Sequence, residues 1–154
     1  MLLLFNAPAA IAHLYSNDEK YNITGTVKFF PYKKGTMVVA DIHGLPNTGA
    51  ACSSGVFAFH IHEGGSCAGE GYPETGGHYN PGKCPHPYHA GDLPPLFSNG
   101  GDAFMIVYTD RFSVQDVIGR TVVIHAQPDD FTTQPAGNSG PKIACGVILH
   151  GSRP

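Results

Sequence analysis

Tryptophan is absent from this chain of 154 residues, and charged side chains make up only 14% of it. The net charge is −3 with neutral histidines and there is no basic stripe, which argues against nucleic acid as a partner. No run approaches the roughly 18 apolar residues that a membrane span requires. The apolar start, Met1-Leu-Leu-Leu-Phe5, is too short for the h-region of an export signal and has no basic residue before it. No window sustains a helical period, so all-β is the leading class. Nor does Cys-x-x-Cys occur, so the four cysteines (Cys52, Cys67, Cys84, Cys145) do not have the spacing of a zinc ribbon. They are compatible with zero, one or two disulfides.

Glycine (20) and proline (13) are plentiful, as in a loop-rich fold of short strands. By the length prior the chain is one domain over residues 1–154. Strands are predicted at 9–15, 23–30 and 36–42, with Pro31 to Gly35 as the hairpin loop between the last two. Further strands follow at 57–63, 103–109, 121–125 and 143–149, with a turn at 116–120. About seven or eight strands joined by turns suit a Greek-key sandwich or flattened barrel of immunoglobulin-like type. From Gly64 to Leu96 the pattern fails, with almost no apolar periodicity and many glycines and prolines. A stretch this long without structure is uncommon in a compact domain unless it is functional or tied down.

Histidine supplies the tie. In a strand over Phe57-Ala-Phe-His-Ile-His-Glu63, His60 and His62 share one face while Phe57, Phe59 and Ile61 share the other. Two imidazoles in front of buried phenylalanines make half of a metal site, neutral imidazole being the commonest metal ligand. His78 lies in a Gly-Gly-His turn, His86 and His89 in the long loop with Asp92, and His125 at the end of an apolar strand. His13, outside any such context, reads as an ordinary strand histidine.

Several of these pieces, in order, resemble the copper/zinc superoxide dismutase family, nearest its bacterial branch. They are Phe-His-Ile-His-Glu at 59–63, Gly-Gly-His-Tyr-Asn-Pro at 76–81, His-Ala-Gly-Asp-Leu at 89–93 and Ile-Gly-Arg-Thr-Val-Val-Ile-His at 118–125. Asp129-Asp130 and Gly-Asn-Ser-Gly-Pro-Lys-Ile-Ala-Cys-Gly-Val-Ile at 137–148 complete the series. The resemblance implies a copper ion on His60, His62, His78 and His125. It also implies a zinc ion on His78, His86, His89 and Asp92, with the His78 ring shared. Copper(II) suits an all-nitrogen tetragonal set and zinc a tetrahedral mixture, in keeping with that split. Asp129 takes the place of the family's carboxylate that holds one histidine of each metal. Cys67 and Cys145 occupy its disulfide positions, closing a loop worth roughly 4 kcal/mol in the chain-entropy model. Cys52 and Cys84 have no counterpart, and the fold is expected to keep them apart.

The implied activity is dismutation of superoxide to dioxygen and peroxide, with His78 delivering a proton and Lys142 guiding the anion. Lys142 stands where the family usually has arginine, keeping the charge but not the planar fork of donors. The loop from Gln127 to Gly140 is short and lacks lysine, so its own steering should be weak. A copper store or chaperone on the same fold is the alternative function, although such proteins favour softer ligands than imidazole. A zinc hydrolase would need Glu63 as base, and strand geometry turns Glu63 away from the imidazoles. A zinc-only structural relative is countered by histidine at all four copper positions. A homodimer is allowed. The disulfide favours an extracellular or periplasmic setting, though the family is known in cytoplasm as well.

Overall fold

The β-branched and aromatic runs form the strands they predict, and alternation along each one decides which side is buried. The computed structural model describes residues 7–52 and 55–151; the apolar start at Met1–Phe5 lies outside them. Nine strands occur among the described residues: β1 (Ala10–Tyr15), β2 (Thr24–Tyr32), β3 (Gly35–His43), β4 (Val56–Phe57), β5 (Phe59–His62), β6 (Leu96–Phe97), β7 (Ala103–Thr109), β8 (Thr121–His125) and β9 (Lys142–His150). Seven of them make one curled antiparallel sheet in the order β5-β8-β9-β1-β2-β3-β7, and β4 pairs with β6. The core lies inside the curl. Leu14, Val27, Phe29, Val38, Ile42, Phe59, Ile61, Val122, Ile124 and Ile148 are all buried in it, each at an alternate position of its strand. No helix among the described residues is long and apolar enough to cross a membrane.

Three local expectations need correction. Pro31 does not end its strand: β2 runs through it to Tyr32, paired with Gly35, so the hairpin turn is only Lys33-Lys34. The missing N–H costs nothing there, because pairing with β1 has already stopped at Phe29. The 57–63 run divides at Ala58, whose N–H donates to Gln127 O (2.9 Å) and whose carbonyl accepts from His125 N–H (2.9 Å). A single helical turn, α1 (Val114–Val117), overlaps the start of the expected 116–120 turn. It carries a Ser113/Asp116 capping box, a spacing that was legible in Ser-Val-Gln-Asp.

Behind the sheet, Cys67 and Cys145 form a disulfide across 78 residues of sequence. Tyr72, Val123 and the two half-cystines make a second small buried cluster on the outer side of β8 and β9. The long loop is therefore anchored at its start, close to where the histidines collect.

Candidate metal centre

The outer face of β5 and β8 carries what the core does not take. With Phe59 and Ile61 turned inward, His60 and His62 emerge together on the other side. β8 repeats the pattern, with Val122 and Ile124 inside and His125 outside. Pairing of Phe59 with Ile124 sets His125 opposite Ala58, beside both strand histidines.

The long loop fills the other edge of β5. Ile61 N–H donates to Gly91 O (2.8 Å), Tyr79 N–H to Ile61 O (2.8 Å) and Glu63 N–H to Gly77 O (2.9 Å). These bonds place His78 across from His62 and Asp92 across from His60. The approach is close enough to require glycine at 91, since a Cβ there would lie 2.2 Å from Ile61 O. Farther along, Arg111 donates from Nη1 to Pro87 O and His89 O, both at 3.1 Å, pinning the rest of the loop.

Six histidines and one aspartate thus converge as two groups with a common member. His60, His62, His78 and His125 form the first, and His78, His86, His89 and Asp92 the second. Within each group the candidate ligand atoms all lie within 4.8 Å of one another. The structure brings together, in these two sets, the residues that the resemblance pointed to.

Hydrogen bonds decide which nitrogen each ring can offer. His62 Nδ1–H donates to Gly76 O (2.9 Å) and His125 Nδ1–H to Gly140 O (3.2 Å), leaving both Nε2 lone pairs inward, 3.2 Å apart. Asp129 accepts from His60 Nε2 (2.7 Å) and His86 Nε2 (2.8 Å) on its two oxygens, and from Phe131 N–H (2.7 Å). That leaves Nδ1 of each ring free. His78 Nδ1 faces Asp92 Oδ1 (2.7 Å) and His89 Nδ1 (3.3 Å), so its Nε2 is the atom it can present to the first group. Asp92 also lies 3.1 Å from His86 Nδ1 and 3.2 Å from His89 Nδ1.

Three ring nitrogens are buried without a hydrogen-bond partner among the described residues: His60 Nδ1, His78 Nε2 and His86 Nδ1. The His86 atom is near Asp92 but out of line for a bond. A buried polar atom left unsatisfied costs about 1–3 kcal/mol, so three at one place call for a missing partner. All three are atoms the two groups would turn toward a cation. The donor set therefore fits metal ions.

Protonation agrees. Burial, reinforced by the neighbouring His125, pushes His62 down to about 2; burial, reinforced by His60, pushes His125 down to about 3. Burial lowers His60 and His89 too, against the pull of Asp129 and Asp92 respectively. Burial alone would raise the Asp129 carboxyl, but the hydrogen bonds from His60 and His86 outweigh it and hold Asp129 well below the usual carboxylate range. Asp92 is likewise lowered against its burial, chiefly by His78. Neutral imidazoles and ionised carboxylates are the forms that bind metal.

The first group opens on a cleft of about 680 Å³ lined by His62, His78, His125, Asn138, Gly140 and Lys142 among others. The Lys142 ammonium is engaged there, by Thr75 Oγ1 (2.7 Å), Tyr72 O (3.3 Å) and Gly76 O (3.4 Å). Burial lowers its pKa. Sequence reasoning missed Thr75, Arg111 and the carbonyls of Gly76 and Gly140. A carbonyl leaves no mark in a sequence, and Thr75 had only its closeness to His78. Cys52 and Cys84 are exposed and unpaired, and His13 is exposed on β1.

A curled antiparallel β-fold carrying two groups of residues that could each hold a metal ion, with His78 a member of both, defines the class of this chain. The family model for copper/zinc superoxide dismutase matches residues 23–148, and the chain belongs to that family. Among its relatives, a copper-zinc superoxide dismutase of Deinococcus radiodurans is 35% identical over 152 residues, spanning 85% of this chain and 80% of that one. One from Aquifex aeolicus is 31% identical, spanning 89% and 85%. The superoxide dismutase-like protein YojM of Bacillus subtilis is 34% identical, spanning 80% and 69%. The crystal structure of a SOD-like protein from Bacillus subtilis superposes with a TM-score of 0.76 at 28% identity, covering 90% of this chain and 97% of that one.

Proposed function

We propose that this protein dismutes superoxide, two anions and two protons giving one dioxygen and one hydrogen peroxide. In this reading His60, His62, His78 and His125 hold copper, and His78, His86, His89 and Asp92 hold zinc. The observation that carries it is His78, whose two nitrogens face different groups, one of them buried with no hydrogen-bond partner among the described residues. A copper ion in the first group supplies one-electron redox chemistry, and a zinc ion in the second a fixed positive charge.

The chain's own residues do the rest. Asp129 and the carbonyls of Gly76 and Gly140 fix the tautomers of His60, His86, His62 and His125, so that lone pairs point inward. His78 Nε2 would hold a proton only while its lone pair is not serving as a ligand, and from there would pass it to peroxide, while Nδ1 keeps the ring in place. Lys142 sets a positive charge on the wall of the cleft, attracting a small anion. Its protons are occupied by Thr75, Tyr72 and Gly76, so it acts through field more than through contact.

Metal analysis of the purified protein, with dismutase activity measured before and after copper addition, tests this. About one copper and one zinc per chain, with activity that rises on loading copper, is the expected result. Full copper occupancy without turnover would leave a metal-storing module, the reading that the dismutase-like name of the Bacillus relative keeps in view.

A further inference from the structure

His86 sits in a stretch without strands, yet one side chain satisfies both of its backbone polar groups. Its N–H donates to Gln134 Oε1 (2.9 Å) and its carbonyl accepts from Gln134 Nε2 (2.7 Å), so the primary amide pairs with it as a neighbouring strand would. Neither group has a backbone partner among the described residues. The contact spans 48 residues of sequence and joins the loop of the second histidine group to the loop that walls the cleft.

The segment bearing Gln134 is folded on itself, which fixes where that amide can reach. Asp130 N–H donates to Gly137 O (2.9 Å) and Gly137 N–H to Thr133 O (2.7 Å), while the Asp130 carboxylate accepts from the N–H groups of Thr132 (2.9 Å) and Thr133 (2.8 Å). Gly137, at φ 71°, lies against the Asp129–His86 bond: a Cβ there would stand 2.1 Å from Asp129 Oδ1 and 2.6 Å from His86 Nε2. The turn at 129–137 therefore grips His86 at three atoms, N and O through Gln134 and Nε2 through Asp129. With the main chain and the far ring nitrogen both held, the imidazole keeps one orientation. It presents Nδ1, buried without a hydrogen-bond partner among the described residues, beside Asp92.

We propose that Gln134 is a positioning residue for the ion of the second group: its amide holds the His86 main chain so that the ring offers Nδ1 before any ion arrives. Without the clamp, the ordering of His86 would be drawn from the free energy of binding. An uncharged amide suits the task, because a carboxylate would lose the donor and set a second acceptor against the His86 carbonyl. The role rests on the second group binding an ion, as proposed above, and not on superoxide being the substrate.

Gln134→Met keeps the length of the side chain and removes both bonds. In metal-free protein, amide exchange followed by NMR should show the His86 N–H exchanging about tenfold faster than in the wild type. Zinc affinity by isothermal titration should fall about tenfold, the low end for losing an outer partner. Cobalt(II) bound in the second group has visible bands that report its coordination geometry, and these should shift or weaken in the variant; the bands missing from Asp92→Ala belong to that group. Thr132→Ala lies in the same turn, has no side-chain hydrogen bond to His86, and should leave zinc affinity and the cobalt bands as in the wild type, with thermal melts as the control for folding. Faster exchange with wild-type zinc affinity and cobalt bands would overturn the positioning role and leave Gln134 a structural clamp. An equal loss in Thr132→Ala would overturn it too, since loosening the turn would then suffice. A wild type that binds neither zinc nor cobalt would overturn the reading of the second group, and this role with it, a result that needs no variant and so is distinct from the other two.

Discussion

The two histidine groups are built differently although they share a ring. The first takes three of its four members from paired strands, β5 and β8, and each of those rings is held from behind by its own acceptor: Asp129, Gly76 O or Gly140 O. The second takes all four from residues 78–92, a segment without regular strands, and organises them around Asp92, within 2.7–3.2 Å of three imidazoles. A sheet fixes the first group in advance of any ion. In the second, a carboxylate at the centre does part of an ion's work. Where the two meet, at His78 and Asp129, a single change should be felt on both sides, and that is where the contrast breaks most readily.

The largest effect is expected from His78→Ala. It removes the ring common to both groups, so binding of each metal should weaken and dismutase activity should fall by more than the roughly 10- to 100-fold typical of losing a partner one step back from a ligand. Isothermal titration with copper and with zinc separately would check it. If only zinc affinity falls, the imidazole is not shared.

Acid should distinguish the groups next. In metal-free folded protein burial lowers the pKa of His62 to about 2 and that of His125 to about 3, against an ordinary value near 6.5 once unfolded. Their folded pKa values are lowered, so the unfolded chain takes up protons first as pH falls. Their contribution is intact above about pH 6.5 and is lost progressively toward pH 3. Asp129, lowered as well, keeps its contribution above the ordinary carboxylate range and loses it below. Both trends run the same way. Urea midpoints of metal-free protein should therefore drop between about pH 7 and about pH 5, and loaded protein, whose imidazoles are tied up, should drop less. An equal drop in both forms would show that these histidines do not control the loss.

The same contrast explains what could be read from the sequence. Period-two alternation predicted β5 and β8 and put His60 and His62 on one face without help, because a strand converts spacing directly into direction, whereas His125 was read only as ending an apolar strand and joined them through the resemblance. No such rule operates between Gly64 and Leu96. His86, His89 and Asp92 could be assigned only through resemblance to a family, since their convergence depends on bonds to Ile61, on Arg111 and on a backbone approach that demands glycine at 91. Pro31 misled for the opposite reason. Its rule holds inside a sheet, and whether β1 reaches that far along β2 is a tertiary fact.

Asp129→Asn is a finer probe of the junction. An amide keeps one oxygen and substitutes an NH2 for the other, so only one of His60 and His86 can still donate to it. Affinity for one metal should fall by roughly 10- to 100-fold with the other less affected. Separate copper and zinc titrations would show which ring the amide keeps. Unchanged affinity at both would mean the strands and the loop position their rings without the carboxylate.

The smallest effect separates charge from grip at the cleft. Thr75 Oγ1 donates to Tyr72 O (2.9 Å) and accepts from Lys142 Nζ (2.7 Å); Lys142 also reaches Gly76 O, the carbonyl that orients His62. A line of polar contacts thus runs from the disulfide loop to a strand-held histidine. Thr75→Val preserves shape and leaves the lysine charged, but removes both hydroxyl contacts at a buried position, a loss of about 1 kcal/mol in stability. The salt dependence of the dismutase rate should stay as in the wild type, whereas Lys142→Glu should reverse it, because steering follows the sign of the charge and not its anchoring. If Thr75→Val flattens the salt dependence as much as loss of the charge does, then the position of the ammonium matters more than its presence, and Lys142 acts by contact.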